Sequence, residues 1–206
     1  MIGVIDIGIS NLKSFTNALN FLRVDYVLAN SPKDLSICNR YVLPGVGSFD
    51  AGVKALRKQG FYTFLKNTDW DSESKLIFGI CLGMQLLCES SEEGSLSGLG
   101  LVSGSVVHLS SQGCRGKIPH VGFNEVIDIY KSDQDLNFMD GNDFYFIHSF
   151  GVFGKSLNSS ESFVTTKYEG VEFVSALKSG NVSGTQFHPE KSGLCGLQLL
   201  KKLLKC

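Results

Sequence analysis

The chain has 206 residues, 43% of them hydrophobic, which suits one domain over 1–206 with a substantial buried core. Lysine plus arginine number 19 against 20 aspartate plus glutamate, a balance that excludes the basic footprint of a nucleic-acid or anionic-membrane binder and leaves small polar molecules or another protein as partners. No apolar run approaches membrane-spanning length, and the N-terminus places Asp6 in its early apolar stretch without a basic region before it, so neither a membrane span nor a secretory signal is expected.

The first half alternates short apolar runs with helical patterns, the grammar of βαβ units. Strands are predicted over 2–7, 26–29, 41–43 and 76–80, and helices over 12–22, 51–65 and 84–89. Asn11 stands where a cap for the first helix belongs, and Leu12, Phe15, Leu19 and Leu22 recur at three- and four-residue steps. From 99 to 188 the pattern changes to successive strands, over 105–109, 124–130, 144–150, 163–168, 172–177 and 182–187, with turn signals at Gly116, Gly141-Asn142, Glu169-Gly170 and 179–181. These read as antiparallel pairs extending the parallel sheet. The polar stretch 67–74 reads as a loop, and a helix over 196–204 closes the chain, with Lys201, Lys202 and Lys205 at its C-terminal end.

The run Gly79-Ile-Cys81-Leu-Gly83-Met-Gln85 sits where a strand pattern meets a helix pattern. A side chain forced into such a corner collides with bulky neighbours two residues away on either side, and glycine relieves the clash; this is a thiol version of a nucleophile elbow. The helix starting there points unpaired N–H groups and its positive dipole end at the sulfur. A thiolate nucleophile needs a base and a group to orient it. Of the four histidines, 108, 120, 148 and 188, His188 is best placed. Pro189 extends the backbone before it, so Glu190, two residues on, projects to the same side as His188. An oxyanion has two candidate sources of donors, the N–H of Leu82 and the loop Pro44-Gly45-Val46-Gly47 after the third strand. A dinucleotide fingerprint fails because Asp50 stands where the third glycine belongs, and a P-loop fails at Ser149. The cysteines at 38, 81, 88, 114, 195 and 206 form no C-x-x-C pair and read as reduced cytosolic thiols; no metal and no cofactor are expected.

Gly79 to Gln85 together with His188-Pro-Glu190 resembles the signature pair of class I, triad-type glutamine amidotransferases. Leu43-Pro-Gly-Val-Gly47, Gly98-Leu-Gly-Leu101, Pro119-His120-Val-Gly-Phe123-Asn124 and Phe146-Ile-His148-Ser149 are similar to the glutaminase subunits of imidazole glycerol phosphate synthases. The resemblance implies an α/β, flavodoxin-like mixed sheet flanked by helices, and cytoplasmic hydrolysis of L-glutamine through a Cys81 thioester. It also implies a heterodimer with a (βα)8-barrel cyclase subunit that receives the ammonia through a channel. His188 would be base and then acid, Glu190 its orienter. Gly45, Val46, Gly47, Leu82, Gln85, Ser149 and Phe150 would meet the substrate and its oxyanion, while Pro119, His120, Phe123, Asn124 and Lys191 would face the partner. The chain departs from the family pattern at 6–11, at Phe123 where tryptophan is typical and at Phe150 where tyrosine is more frequent. A paralogue feeding ammonia to a synthetase that amidinates surface sugars, a thiol redox sensor on the same elbow, and an interaction subunit with an idle triad remain as alternatives.

Overall fold

A computed structural model describes residues 1–72, 74–128 and 133–204. Glu73, Ile129, Tyr130, Lys205 and Cys206, on which parts of the predicted loop, strand and closing helix fall, lie outside the described residues. In chain order the strands are β1 (Ile2–Ile5), β2 (Tyr26–Ala29), β3 (Arg40–Gly45), β4 (Leu76–Cys81), β5 (Ser90–Ser91), β6 (Ser105–His108), β7 (His120–Glu125), β8 (Asp143–His148), β9 (Phe150–Val152), β10 (Ser162–Tyr168), β11 (Val171–Ser179) and β12 (Val182–Thr185). The α-helices are α1 (Leu12–Phe21), α2 (Phe49–Lys58), α3 (Phe61–Asn67), α4 (Leu82–Leu87), α5 (Gln134–Asn137) and α6 (Gly193–Leu203). None of the described helices is long and apolar enough to cross a membrane.

Among the described residues a seven-stranded sheet runs in the order β10-β11-β12-β4-β3-β1-β2. The β12-β4-β3-β1-β2 part is parallel, and β10 and β11 add antiparallel pairs at one edge, as the change of pattern in the second half predicts. Period-two alternation explains why the central strands are apolar throughout. Ile2, Val4, Val42, Phe78 and Ile80 pack on Phe15 and Leu19 of α1 and Leu200 of α6. Ile5, Tyr41, Leu43 and Ile77 point the other way, onto Val53 and Leu56 of α2, Phe61 and Leu65 of α3 and Leu86 of α4. Both faces are covered, so polar alternation would bury unpaired groups.

Four local expectations change. The helix expected over 51–65 is two helices, because Gly60 takes φ 81° between them and ends the first. Asn11 occupies the N-cap position of α1 with φ −82° and ψ 73°, but its side chain makes no capping bond, since that backbone does not turn it onto the first turn. The strand expected over 124–130 instead begins at His120 and ends at Glu125, pairing antiparallel with β8. The run expected over 144–150 divides at Ser149: β8 belongs with β7, whereas β9 joins β6 in a separate sheet. Asp6 finds its partner locally, its Oδ1 accepting the Gly8 N–H at 2.8 Å.

Candidate functional site

The β4 to α4 corner places Cys81 at φ 54° and ψ −110°, a left-handed backbone that L-residues avoid and that costs on the order of 1–3 kcal/mol. The surrounding packing imposes it. A Cβ on Gly79 would stand 2.6 Å from the Gly83 carbonyl carbon and the Met84 nitrogen, and one on Gly83 would collide with the Leu43 carbonyl oxygen and lie 2.8 Å from its carbon. The two glycines therefore let α4 descend onto β3 and β4 directly after the cysteine. The Leu82 N–H heads this six-residue helix and has no intrahelical acceptor.

Beyond β12 the chain brings His188 to the same corner, because β12 pairs with β4 in parallel register, Thr185 opposite Ile80. The side chains of His188 and Glu190 are buried, and Nδ1 of the imidazole bonds Oε1 of the carboxylate at 2.8 Å. Since a carboxylate only accepts, Nδ1 carries the proton and Nε2 is left for Cys81. Nε2 makes no hydrogen bond of ordinary geometry among the described residues, yet the sulfur is close enough to act on the ring. Burial opposes a charge on His188; contact with Cys81 and with Glu190 more than offsets it and raises the pKa to about 9.

The thiol opens into a cavity of about 290 Å³ lined by Val46, Gly47, Leu82, Gln85, Glu93, Ile147, His148, Ser149 and Phe150. Six of the seven residues expected at the substrate border this space. Gly45 does not: it is buried, and a Cβ there would sit 3.1 Å from Leu82 Cβ, so it serves the packing of β3 on α4. The Val46 N–H, a candidate oxyanion donor, donates to the Ile9 carbonyl at 3.3 Å in this conformation. Gln85 offers its amide nitrogen to the Phe150 carbonyl at 2.9 Å and to Gln186 Oε1 at 3.0 Å.

Of the residues expected at the partner face, Pro119 and Phe123 are exposed and Asn124 and Lys191 half-buried. His120 turns inward, only 2% exposed, because alternation along β7 sends Val121 and Phe123 outward and its ring into the core. There it stacks on Tyr168 and Phe146 and bonds His148 Nε2 through Nδ1 at 3.2 Å. His148 Nδ1 donates to the Phe150 carbonyl at 2.8 Å. Burial lowers the pKa of His120 to about 4; burial, with His120 and His188 nearby, lowers that of His148 to about 3 despite the carbonyl bond. Both rings are neutral. Glu93, Ile147, His148 and Gln186 are site residues that the sequence reading missed. For His148 the signal was present in Phe146-Ile-His148-Ser149, whereas a glutamine before His188 and an acid in a polar loop carry no local signal.

The family described as "Glutamine amidotransferase class-I" matches residues 3–204. The imidazole glycerol phosphate synthase subunit HisH of Geobacillus sp. (strain WCH70) is 40% identical over 205 residues, covering 98% of this chain and 94% of that protein. Subunit HisH 2 of Methanococcus maripaludis is 38% identical, covering 100% and 99%. Among solved structures, a glutamine amidotransferase superposes with a TM-score of 0.74 at 16% identity over 98% of each chain, and PurLQS from Thermotoga maritima with 0.64 at 20% identity over 99% and 97%. At those identities the structural likeness speaks for the fold, while the sequence matches run from end to end. The chain belongs to the class-I glutamine amidotransferase family.

Proposed function

We propose that this chain is the glutaminase subunit of an imidazole glycerol phosphate synthase, working as one cytoplasmic domain in a heterodimer with a (βα)8-barrel cyclase. The observation that carries this reading is the strained Cys81 beside a buried His188–Glu190 pair at the mouth of one cavity. The relatives at 38–40% identity, each an imidazole glycerol phosphate synthase subunit, support the synthase and with it a place in histidine biosynthesis.

The proton shared by Cys81 and His188 rests on Nε2, as the raised pKa of the imidazole favours, and the thiolate so left adds to the side-chain carboxamide carbon of glutamine. The Leu82 N–H receives the oxyanion. As the tetrahedral adduct collapses, the C–N bond breaks, His188 returns the proton to the departing nitrogen, and ammonia and a γ-glutamyl thioester result. Water, deprotonated by His188, then opens the thioester to glutamate and restores the thiol. Glu190 holds the proton-bearing nitrogen of the imidazole throughout. Glu93, whose Oε2 accepts the Phe49 N–H at 2.7 Å, supplies the cavity with a carboxylate suited to the ammonium of a free amino acid.

The outer face of the β7–β8 ribbon supports a place for the partner there. Val121 is 53%, Phe123 61% and Ile147 40% exposed, an apolar patch continuous with the cavity through Ile147 and Val46. Phe123 lies edge-on to Tyr145, over which Lys191 places its Nζ at 5.8 Å. Ammonia released into water is mostly protonated and no longer nucleophilic, so covering this mouth with a subunit that continues the passage keeps it reactive. A redox sensor has no use for the buried His188–Glu190 pair. A glutamine-mimicking electrophile, applied with the cyclase present, is expected to label Cys81 alone; labelling spread over several thiols, or none, would refute the reading.

A further inference from the structure

Gln186 is absent from the reaction scheme above, yet it is fully buried and its Nε2 stands 3.6 Å from the Cys81 sulfur. We propose that the Gln186 carboxamide is a catalytic donor to the nucleophile, an N–H aimed at the sulfur that favours the thiolate and holds its direction of attack. The inference rests on the glutaminase reading of the site and deepens it.

The orientation of an amide side chain is ordinarily ambiguous, because its nitrogen and oxygen exchange places without changing shape. Here a chain of contacts removes the ambiguity. The Phe150 carbonyl can only accept, so the end of Gln85 that lies 2.9 Å from it is the NH2. The second proton of that NH2 points to Gln186 at 3.0 Å, which must present oxygen. The other end of Gln186 is then the NH2 facing Cys81. Reversing Gln186 would set two NH2 groups against each other and an oxygen against the sulfur. The same Phe150 carbonyl also accepts from His148 at 2.8 Å, so it is fixed from two sides. The backbone of Gln186 is held as well, its N–H donating to the Ser175 carbonyl at 2.7 Å.

The sulfur also meets the Ile147 carbonyl at 3.9 Å, an acceptor that suits S–H and repels S⁻. Gln186 favours the opposite state. When His188 removes the proton, the Ile147 contact loses its donor while the Gln186 contact gains strength, because a hydrogen bond to a charged acceptor exceeds one to a neutral acceptor. The ionisable groups around the sulfur are His188 with Glu190 beyond it, and His148 and Glu93 in the lining of the same cavity. None of them replaces an uncharged donor that keeps its proton at every working pH.

The test compares wild type with Gln186→Met and Gln186→Leu, two side chains of different shape that both lack the donor. In the complex with the cyclase, the rate of iodoacetamide alkylation at Cys81 is followed against pH by mass spectrometry, alongside kcat and KM for glutamine and the melting temperature. The midpoint of the alkylation profile, which belongs to the Cys81–His188 pair, is expected to rise by about one pH unit or more in both variants. The kcat is expected to fall about ten- to a hundredfold, the worth of a hydrogen bond to a charged group, with KM changed less. An unchanged midpoint in both variants would overturn the proposal, and so would a loss of reactivity that is uniform over pH or that follows side-chain shape, since packing predicts either. Wild type that alkylates at Cys81 but turns over no glutamine would defeat the glutaminase reading, and the alkylation profiles would still decide the role of Gln186.

Discussion

Acidification from pH 6.5 to 5 tests the buried histidine pair through stability. In the folded chain His120 and His148 stay neutral, with pKa values lowered to about 4 and about 3, whereas in the unfolded chain each takes up a proton near its ordinary 6.5. Unfolding therefore gains protons in this window, and stability falls as pH falls; the contribution is complete above 6.5. At 1.36 kcal/mol per pH unit the loss by pH 5 is about 2 kcal/mol for each ring and about 4 kcal/mol for the pair as an upper bound. For a chain of this size that corresponds to about 10 °C in Tm. Other groups stay out of the window. His188, raised to about 9, is protonated in both states below 6.5, and its share is lost only as pH rises from there through 9. Carboxylates held below their ordinary range, such as Asp34 by the Ser31 and Asn30 N–H groups and Glu92 by the His108 N–H, begin to matter only below about 4.5. Differential scanning calorimetry at pH 7, 6.5, 6, 5.5 and 5 reads the slope. His120→Phe, which keeps an aromatic ring between Tyr168 and Phe146, should about halve it. A flat Tm across the window, or an identical slope in that variant, would refute the reasoning.

Gly83→Ala drives a methyl into the Leu43 carbonyl, which two backbones must separate to accommodate. A loss of about 3 kcal/mol or more is expected, and a Tm within about 2 °C of wild type would show that the elbow is looser than described. Glu190→Gln removes the carboxylate that fixes His188 Nδ1–H, so kcat should fall about a hundredfold or more with a small effect on KM; steady-state kinetics with the cyclase present reads this, and equal changes in both parameters would count against an orienting role. Phe123→Asp puts a charge on the exposed face of β7. It should leave Tm within about 1 °C while weakening cyclase association at least about tenfold, measured by titration calorimetry; unimpaired association would move the interface elsewhere.

What could be read from the chain beforehand was what depends on near neighbours. Glycines two residues either side of Cys81, a proline that extends His188, and apolar runs buried on both faces are local facts with steric causes, and the structure has each feature. Boundaries depended on which neighbour a segment meets. Nothing in 51–65 announces that Gly60 will take a positive φ, because the helical pattern continues past it. The strand placed over 124–130 left His120 outside any element, so period two was not applied to it. Starting at His120, the same rule sends Val121 and Phe123 out and His120 in, toward Phe146 and Phe173.

Glu93 apart, the parts of the site that stayed illegible gather around the division of the run 144–150 at Ser149. A strand that remains in one ladder spends its carbonyls on that ladder. Here the chain leaves the β7–β8 ribbon and enters the sheet of β6 and β9 within two residues. Past the end of β8 the Ser149 carbonyl takes the Leu109 N–H and the Phe150 carbonyl takes both Gln85 and His148, while the Ile147 carbonyl, still within β8, reaches the Cys81 sulfur. A fixed backbone acceptor orders the amides that meet it, and through Gln85 that order extends to Gln186 and the sulfur. One residue before the crossing, Ile147 has its side chain on the exposed apolar face and its carbonyl 3.9 Å from the Cys81 sulfur. Sequence periodicity has no means of expressing the crossing, in which one chain segment changes sheets.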